Sequence, residues 1–100
     1  MDVTMTVDGS LATFTVVGKL TVQTAPELER AIAQAPADVC DFDLDLSGVD
    51  YVSSAGLRVF VATDKNATRR GGTLRLLHPT DDVMKVFDMT GISDLLVVEL

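Results

Sequence analysis

The chain has 100 residues, is 47% hydrophobic and carries a formal net charge of −7, with an isoelectric point near 4.3. This length and this apolar content suit one modest core, so we expect a single domain over residues 1–100. The negative charge disfavours sequence-independent binding to nucleic acid or to an anionic membrane, because both polyanions would repel the chain, and no direct nucleic-acid binding is expected.

The first third of the chain predicts a β-hairpin followed by a helix. Residues 3–7 and 11–18 are rich in β-branched side chains and flank the turn sequence DGS, which predicts two paired strands. Thr24 precedes Glu27 by three residues, the spacing of a capping box, and predicts the N-cap of a helix that ends before Pro36. The apolar face of this helix comprises Leu28, Ala31, Ile32 and Ala35.

The segment DFDLDLSGV at residues 41–49 alternates acidic and apolar side chains, which is the period of a β-strand that ends at Ser47-Gly48. Its three aspartates also resemble the opening of a calcium-binding EF-hand loop. Such a loop needs glycine at its sixth position and glutamate at its twelfth, and these places hold Leu46 and Val52. The mismatch favours the strand, and we predict no metal site.

The second half of the chain predicts two further helices and two further strands. They are a helix from residue 53 or 54 to about 70, a strand over 73–78, a helix over 79–91 and a strand over 95–100. The order is therefore β-β-α-β-α-β-α-β. This order implies the α/β class, with a mixed sheet of four to five strands packed with three main helices.

The chain lacks the residues that several classes of function need. The only cysteine, Cys40, cannot form an intramolecular disulfide, and the N-terminal MDVTMTVDGS does not resemble a signal peptide, so we expect the cytoplasm. The apolar runs are far shorter than the ~20 residues that span a bilayer, so no membrane insertion is expected. His78 is the only histidine and no GxxxxGKS or GxxxxGKT motif occurs. We therefore predict no catalytic residues, no cofactor and no enzymatic activity, so any phosphate would come from another protein.

The stretch YVSSAGL at residues 51–57 allows two interpretations. In the simpler one, a serine caps the second helix by accepting a hydrogen bond from a first-turn amide, worth about 1 kcal/mol. That leaves Gly56 unexplained, since glycine inside a helix costs roughly 0.5–1 kcal/mol relative to alanine. In the other, Ala55 and Gly56 keep bulk away from the free amides and the positive end of the helix dipole, where a phosphate on the capping serine could bind.

Four stretches of the chain resemble the STAS domain of bacterial anti-sigma factor antagonists, and they occur in the same order. They are GKLTVQTAPELERAI at 18–32, LDLSGVDYVSSAGLRVF at 44–60, RRGGTLRLLHP at 69–79 and VFDMTGISDLL at 86–96. Together they cover nearly the whole chain, and the part around SSAGL is the most specific. The resemblance implies a STAS-type fold, in which helices cover a small β-sheet.

The resemblance also implies a regulatory serine and its partners. In the family, an anti-sigma factor that is also a serine kinase phosphorylates this serine, and a PP2C-type phosphatase resets it. The unphosphorylated protein binds the kinase and frees a sigma factor. Alignment on Gly56 and Leu57 places the phosphorylated serine on Ser54. The partner surface carried over from the family comprises Thr21, Val22, Gln23, Thr24, Ser53, Ser54, Gly56, Leu57 and Arg58.

The chain departs from the family pattern in two stretches. Many members read Gly-Glu-Leu-Asp where this chain reads Gly18-Lys19-Leu20-Thr21, and Ser53 replaces an acidic residue beside the acceptor serine. The missing carboxylates leave an alternative open. In it, the chain is a STAS adaptor that binds the ATPase of an ABC-type lipid transporter without being phosphorylated.

Overall fold

The chain folds into five β-strands and four α-helices in a computed structural model that describes residues 1–100. The strands are β1 (Asp2–Asp8), β2 (Leu11–Leu20), β3 (Asp41–Val52), β4 (Leu74–Leu77) and β5 (Val97–Glu99). The helices are α1 (Ala25–Ala33), α2 (Ser54–Arg69), α3 (Asp81–Thr90) and α4 (Ile92–Leu95). None of these helices combines the length and the apolar composition needed to cross a membrane.

All five strands belong to one mixed sheet with the order β1-β2-β3-β4-β5. β1 is antiparallel to β2, and each later pair of neighbours is parallel. The connections through α1, α2 and α3 all step in the same direction across the sheet, and right-handed crossovers of that kind lie on one face. The predicted α/β class and mixed sheet are confirmed, and the short α4 is added to the three main helices.

The hydrophobic core fills the space between the sheet and the helices. Phe14 pairs in register with Leu44, and Leu44 pairs with Leu76, and all three side chains are fully buried. Phe60 of α2 and Phe87 of α3 meet edge to face with ring centroids 6.1 Å apart, an arrangement that aromatic pairs favour. The apolar positions of the central strands therefore face the helices.

The opposite face of the sheet carries the first three aspartates of β3, Asp41, Asp43 and Asp45, and the predicted strand alternation is confirmed there. The Asp41 carboxylate accepts a hydrogen bond from the Thr73 amide at 3.0 Å. The Asp43 carboxylate is nearly buried and accepts from the guanidinium of Arg75, with 2.8 Å between Oδ1 and Nε. The hydrogen bonds that Arg75 donates to Asp43 raise the pKa of the Arg75 guanidinium above its ordinary value. The acidic side chains thus have structural roles within the sheet.

β3 continues past Ser47-Gly48, so the predicted end of this strand is wrong. The Asp45 carboxylate accepts a hydrogen bond from the Ser47 amide at 3.0 Å, and beyond it the pairing with β2 shifts register twice. Gly48 permits the close approach of the strands, because a Cβ there would lie 3.1 Å from the Val16 carbonyl oxygen. Bulges of this kind bend a strand without ending it. The strand therefore reaches Val52, at the end of the sheet.

The C-terminal region differs from the single strand predicted over residues 95–100. Ile92–Leu95 forms α4, and β5 is limited to Val97–Glu99. Gly91 adopts the left-handed conformation, with φ 82°, at the junction of α3 and α4. Ile92, the first residue of the short helix, and Leu96, which follows it, then pack into the core. An apolar run as short as LLVV is compatible with either element, so its pattern did not separate the helix from the strand.

Replacing Asp45 with asparagine should make the stability of the fold less dependent on pH. The Ser47 amide lowers the pKa of the Asp45 carboxyl, burial opposes this, and His78, whose Nδ1 lies 3.6 Å away, lowers it further. A folded-state pKa below the unfolded value of about 3.9 adds stability above that value. This contribution is lost as the pH falls through the folded-state pKa.

Asparagine keeps an acceptor oxygen for the Ser47 amide but carries no charge. We expect Asp45→Asn to cost on the order of 0.5–1 kcal/mol at about pH 6 and less as the pH falls toward about 2, measured by urea unfolding. Asp38→Asn, in the loop before β3, is the control for removing an exposed carboxylate. An equal cost of Asp45→Asn at both pH values would contradict the prediction.

Candidate partner-binding site

The start of α2 lies at the edge of the sheet where β2 and β3 both end. Leu20 and Val52 are paired at these ends, and the Ser53 amide donates a hydrogen bond to the Leu20 carbonyl at 2.8 Å. Because the carboxyl ends of parallel strands meet at one edge, the loop after β2 and the start of α2 leave the sheet side by side. The structure thus brings together residues 21–24 and 53–58, the two stretches of the predicted partner surface.

The two serines at this helix start have different environments. Ser53 is the N-cap, and its Oγ accepts a hydrogen bond from the Gly56 amide at 3.3 Å. Ser54 is the first residue of α2, and its exposed side chain forms no hydrogen bond within the chain. Farther along, Leu57 is half-buried against the core and Arg58 is exposed. The capping role therefore belongs to Ser53, and the Ser54 hydroxyl is accessible to solvent.

Gly56 lacks a side chain because the core leaves no room for one. The residue is buried, and a Cβ at this position would lie 2.6 Å from Leu20 Cδ2 and 3.1 Å from Val52 Cγ1. The first distance is shorter than real carbon contacts, so any larger residue would displace the helix or Leu20. The missing side chain points to the core and not to solvent. The expectation that Gly56 keeps the helix start clear for a phosphate or a partner is therefore wrong.

The loop before α1 is held by hydrogen bonds among its own residues. Thr24 Oγ1 accepts a hydrogen bond from the Thr21 amide and donates one to the Lys19 carbonyl, each at 2.7 Å. Thr21 Oγ1 accepts from the amides of Gln23 and Thr24, both at 3.2 Å. The Thr24 side chain makes no cap hydrogen bond to α1, so the predicted capping box is wrong. The loop leaves Gln23 and Val22 exposed, and Val22 is 66% accessible.

The same edge of the sheet carries an ion pair and an exposed tyrosine that the sequence patterns did not predict. Lys19 Nζ lies 3.3 Å from Asp50 Oδ2, and the two side chains are 65% and 66% exposed, so the pair adds little stability. Tyr51 pairs in register with Lys19 and is 49% exposed. Extending the strand alternation beyond Gly48 would have placed Tyr51 outward and Val52 inward. Tyrosine is enriched in protein interfaces, so Tyr51 extends the candidate surface.

Comparison with models of protein families shows which family the chain belongs to. A family model described as "Mlab, STAS domain" matches residues 3–98. The chain belongs to the STAS domain family. The resemblance seen in the sequence is thereby confirmed, and so is the STAS-type fold.

Curated relatives of this STAS domain are anti-sigma factor antagonists. It is similar to the Anti-sigma-B factor antagonist of Bacillus subtilis, with 32% identity over 81 residues, which cover 81% of this chain and 74% of the relative. The Staphylococcus aureus protein of the same name is 35% identical over 82 residues, covering 81% and 76%. The crystal structure of an anti-sigma factor antagonist from Mycobacterium paratuberculosis gives a TM-score of 0.85 over 98% of this chain and 84% of that one. At 23% identity, this last likeness shows the fold.

Gly56→Ala should destabilise this STAS domain although alanine favours helices. Alanine gains up to about 1 kcal/mol in helix propensity, but overpacking a buried site costs typically 1–3 kcal/mol, about the range expected against Leu20. We expect a net loss of roughly 1–2 kcal/mol in urea unfolding. Leu20→Ala removes the atoms that clash, so the double variant should be at least about 1 kcal/mol more stable than the sum of the single costs predicts. Additive costs would contradict the close contact.

Proposed function

We propose that this STAS domain is a non-enzymatic anti-sigma factor antagonist of the cytoplasm, switched by phosphorylation of Ser54. With Ser54 unphosphorylated, it binds a kinase-type anti-sigma factor and so releases a sigma factor. The kinase phosphorylates Ser54 and ends the complex, and a PP2C-type phosphatase restores the binding form. The partner surface is the edge formed by residues 21–24 and 53–58, without the buried Gly56, and is extended by Tyr51.

The exposed Ser54 hydroxyl at the first position of α2 is the observation that carries the proposal. The Ser53 hydroxyl accepts a hydrogen bond from the Gly56 amide, whereas the amides of Ser54 and Ala55, in the first turn of α2, have no carbonyl acceptor within the helix. A phosphate on Ser54 adds about 1.5–2 negative charges beside these amides and the positive end of the helix dipole, so the fold is retained. In an interface the same dianion loses its hydration, and an unpaired buried charge is enough for a roughly hundredfold loss of affinity.

Hydroxyls stand at Thr21 and Ser53, two of the three positions where the family pattern has acidic residues, and both accept backbone hydrogen bonds. Thr21 Oγ1 accepts from two amides of its loop, and Ser53 Oγ accepts from the Gly56 amide. Aspartate accepts hydrogen bonds in the same way at such caps. At Thr21 and Ser53 the departure from the family pattern therefore removes a negative charge but keeps a side-chain oxygen that accepts hydrogen bonds from backbone amides. It favours a kinase whose contacts with Thr21 and Ser53 are uncharged.

The uncharged Thr21 and Ser53 also favour the second candidate function. In it, the domain is an adaptor that binds the ATPase of an ABC-type lipid transporter through the same edge, and Ser54 remains unmodified. The two candidates differ in one measurable property, because only the antagonist loses its partner on phosphorylation.

Calorimetric titration with each purified kinase-type anti-sigma factor encoded in the same genome tests the switch. Unmodified protein and Ser54→Ala should bind, and protein phosphorylated on Ser54 should bind at least roughly a hundredfold more weakly. Ser54→Asp should lie between them, because it has one charge and a shorter reach. Ser10→Asp adds the same charge in the turn between β1 and β2, at the far end of β2, and should bind like the unmodified protein.

Peptide mapping after incubation with the kinase should place the phosphate on Ser54 and not on Ser53. Modification mainly of Ser53 would overturn the assignment of the acceptor. Equal affinities of the unmodified and phosphorylated forms would overturn the switch. Phosphorylation-independent binding to a transporter ATPase would establish the adaptor instead.

A further inference from the structure

A groove of about 370 Å³ lies on the surface between α1 and α2 and begins at Ala55, the residue after Ser54. Its α2 wall includes Ala55, Arg58 and Ala62, and its α1 side includes Val22, Pro26 and Glu29. The α2 residues recur at helical spacing, and at a rise of 1.5 Å per residue they extend about 10 Å from the helix start. The groove therefore continues the Ser54 edge along the helix pair.

The groove combines a shallow apolar lining with two separate charges. Ala55 and Ala62 have short side chains, and the exposed Val22 borders them. Glu29 belongs to the α1 wall and Arg58 to the α2 wall, and neither forms an ion pair within the chain. A complementary ligand therefore presents apolar side chains, with a basic group toward Glu29 and an acidic group toward Arg58.

The backbone of the two walls restricts the ligand further. Both walls are helices, whose interior amides and carbonyls are already hydrogen-bonded, so an extended peptide would find no strand edge to pair with. A helix satisfies its own backbone and contacts a groove through side chains alone. The groove is also open to solvent along its length, whereas small-molecule sites bury most of their ligand.

We propose that the groove receives an amphipathic α-helix of the anti-sigma factor, with apolar residues between one basic and one acidic side chain. This inference rests on the proposed function and assigns a partner element to the same site. Ala55 directly follows Ser54, so the docked helix ends beside the phosphoacceptor. A phosphate on Ser54 then stands at the mouth of the groove and acts on the helix directly.

Two pairs of variants test the groove by calorimetry with the kinase-type anti-sigma factor that binds the unmodified chain. Ala62→Tyr fills the groove about 10 Å from Ser54, and Met89→Tyr places the same group at an exposed position of α3, away from the groove. Glu29→Lys reverses a groove charge, and Glu27→Lys makes the same change in net charge on α1 outside the groove. We expect Ala62→Tyr and Glu29→Lys to weaken binding about tenfold or more, and both controls to stay within about twofold.

The outcomes separate this inference from the proposed function. Binding that remains sensitive to Ser54 phosphorylation, with all four variants equal to the unmodified chain, overturns the groove and leaves the switch standing. Loss of affinity in Ala62→Tyr without loss in Glu29→Lys overturns the stated charge chemistry of the ligand. A dimer of the chain alone that Ala62→Tyr dissociates in sedimentation overturns the anti-sigma factor as occupant. If the unmodified chain binds no kinase, the proposed function fails and the inference fails with it.

Discussion

The close approach of α2 to Leu20, which Gly56 makes possible, determines where the candidate site lies. Leu20 ends β2 and Val52 ends β3, and both side chains lie against Gly56. The first turn of α2 is therefore seated on the ends of both central strands. Ser53 and Ser54 consequently lie beside the loop after β2. A side chain at position 56 would displace Leu20 or the helix, and displacement of the helix would separate the two halves of the candidate surface.

The arrangement of the crossovers explains why this surface is at an edge of the sheet and not on its face. Because the three crossovers step in one direction, the helices share one face, and the other face must satisfy its polar groups without them. The nearly buried Asp43 does so through Arg75, which also lies 3.3 Å from Glu99 of β5. This face ties β3, β4 and β5 together, while the candidate surface consists mainly of residues beyond the strand ends.

Local patterns predicted the order of the main elements, the alternation of β3 and the position of the serines, because each depends on neighbours in the sequence. The errors arose where distant residues decide the local structure. β3 survives Ser47-Gly48 because Gly48 packs against β2, and Gly56 is required by Leu20 of another strand. Thr24 turns away from α1 because the Lys19 carbonyl and the Thr21 amide bind its hydroxyl. No helix-capping pattern includes those competing partners.

The position of β1 has a consequence for the behaviour of the protein at high concentration. β1 is an edge strand, and an edge strand can pair with the same strand of another molecule. Antiparallel pairing of two copies centred on Met5 would place Asp2 of each copy opposite Asp8 of the other. Like charges directly opposite each other destabilise a strand pair. The acidic ends of β1 therefore oppose edge-to-edge pairing of two copies at neutral pH, and this protection weakens when the carboxylates are protonated.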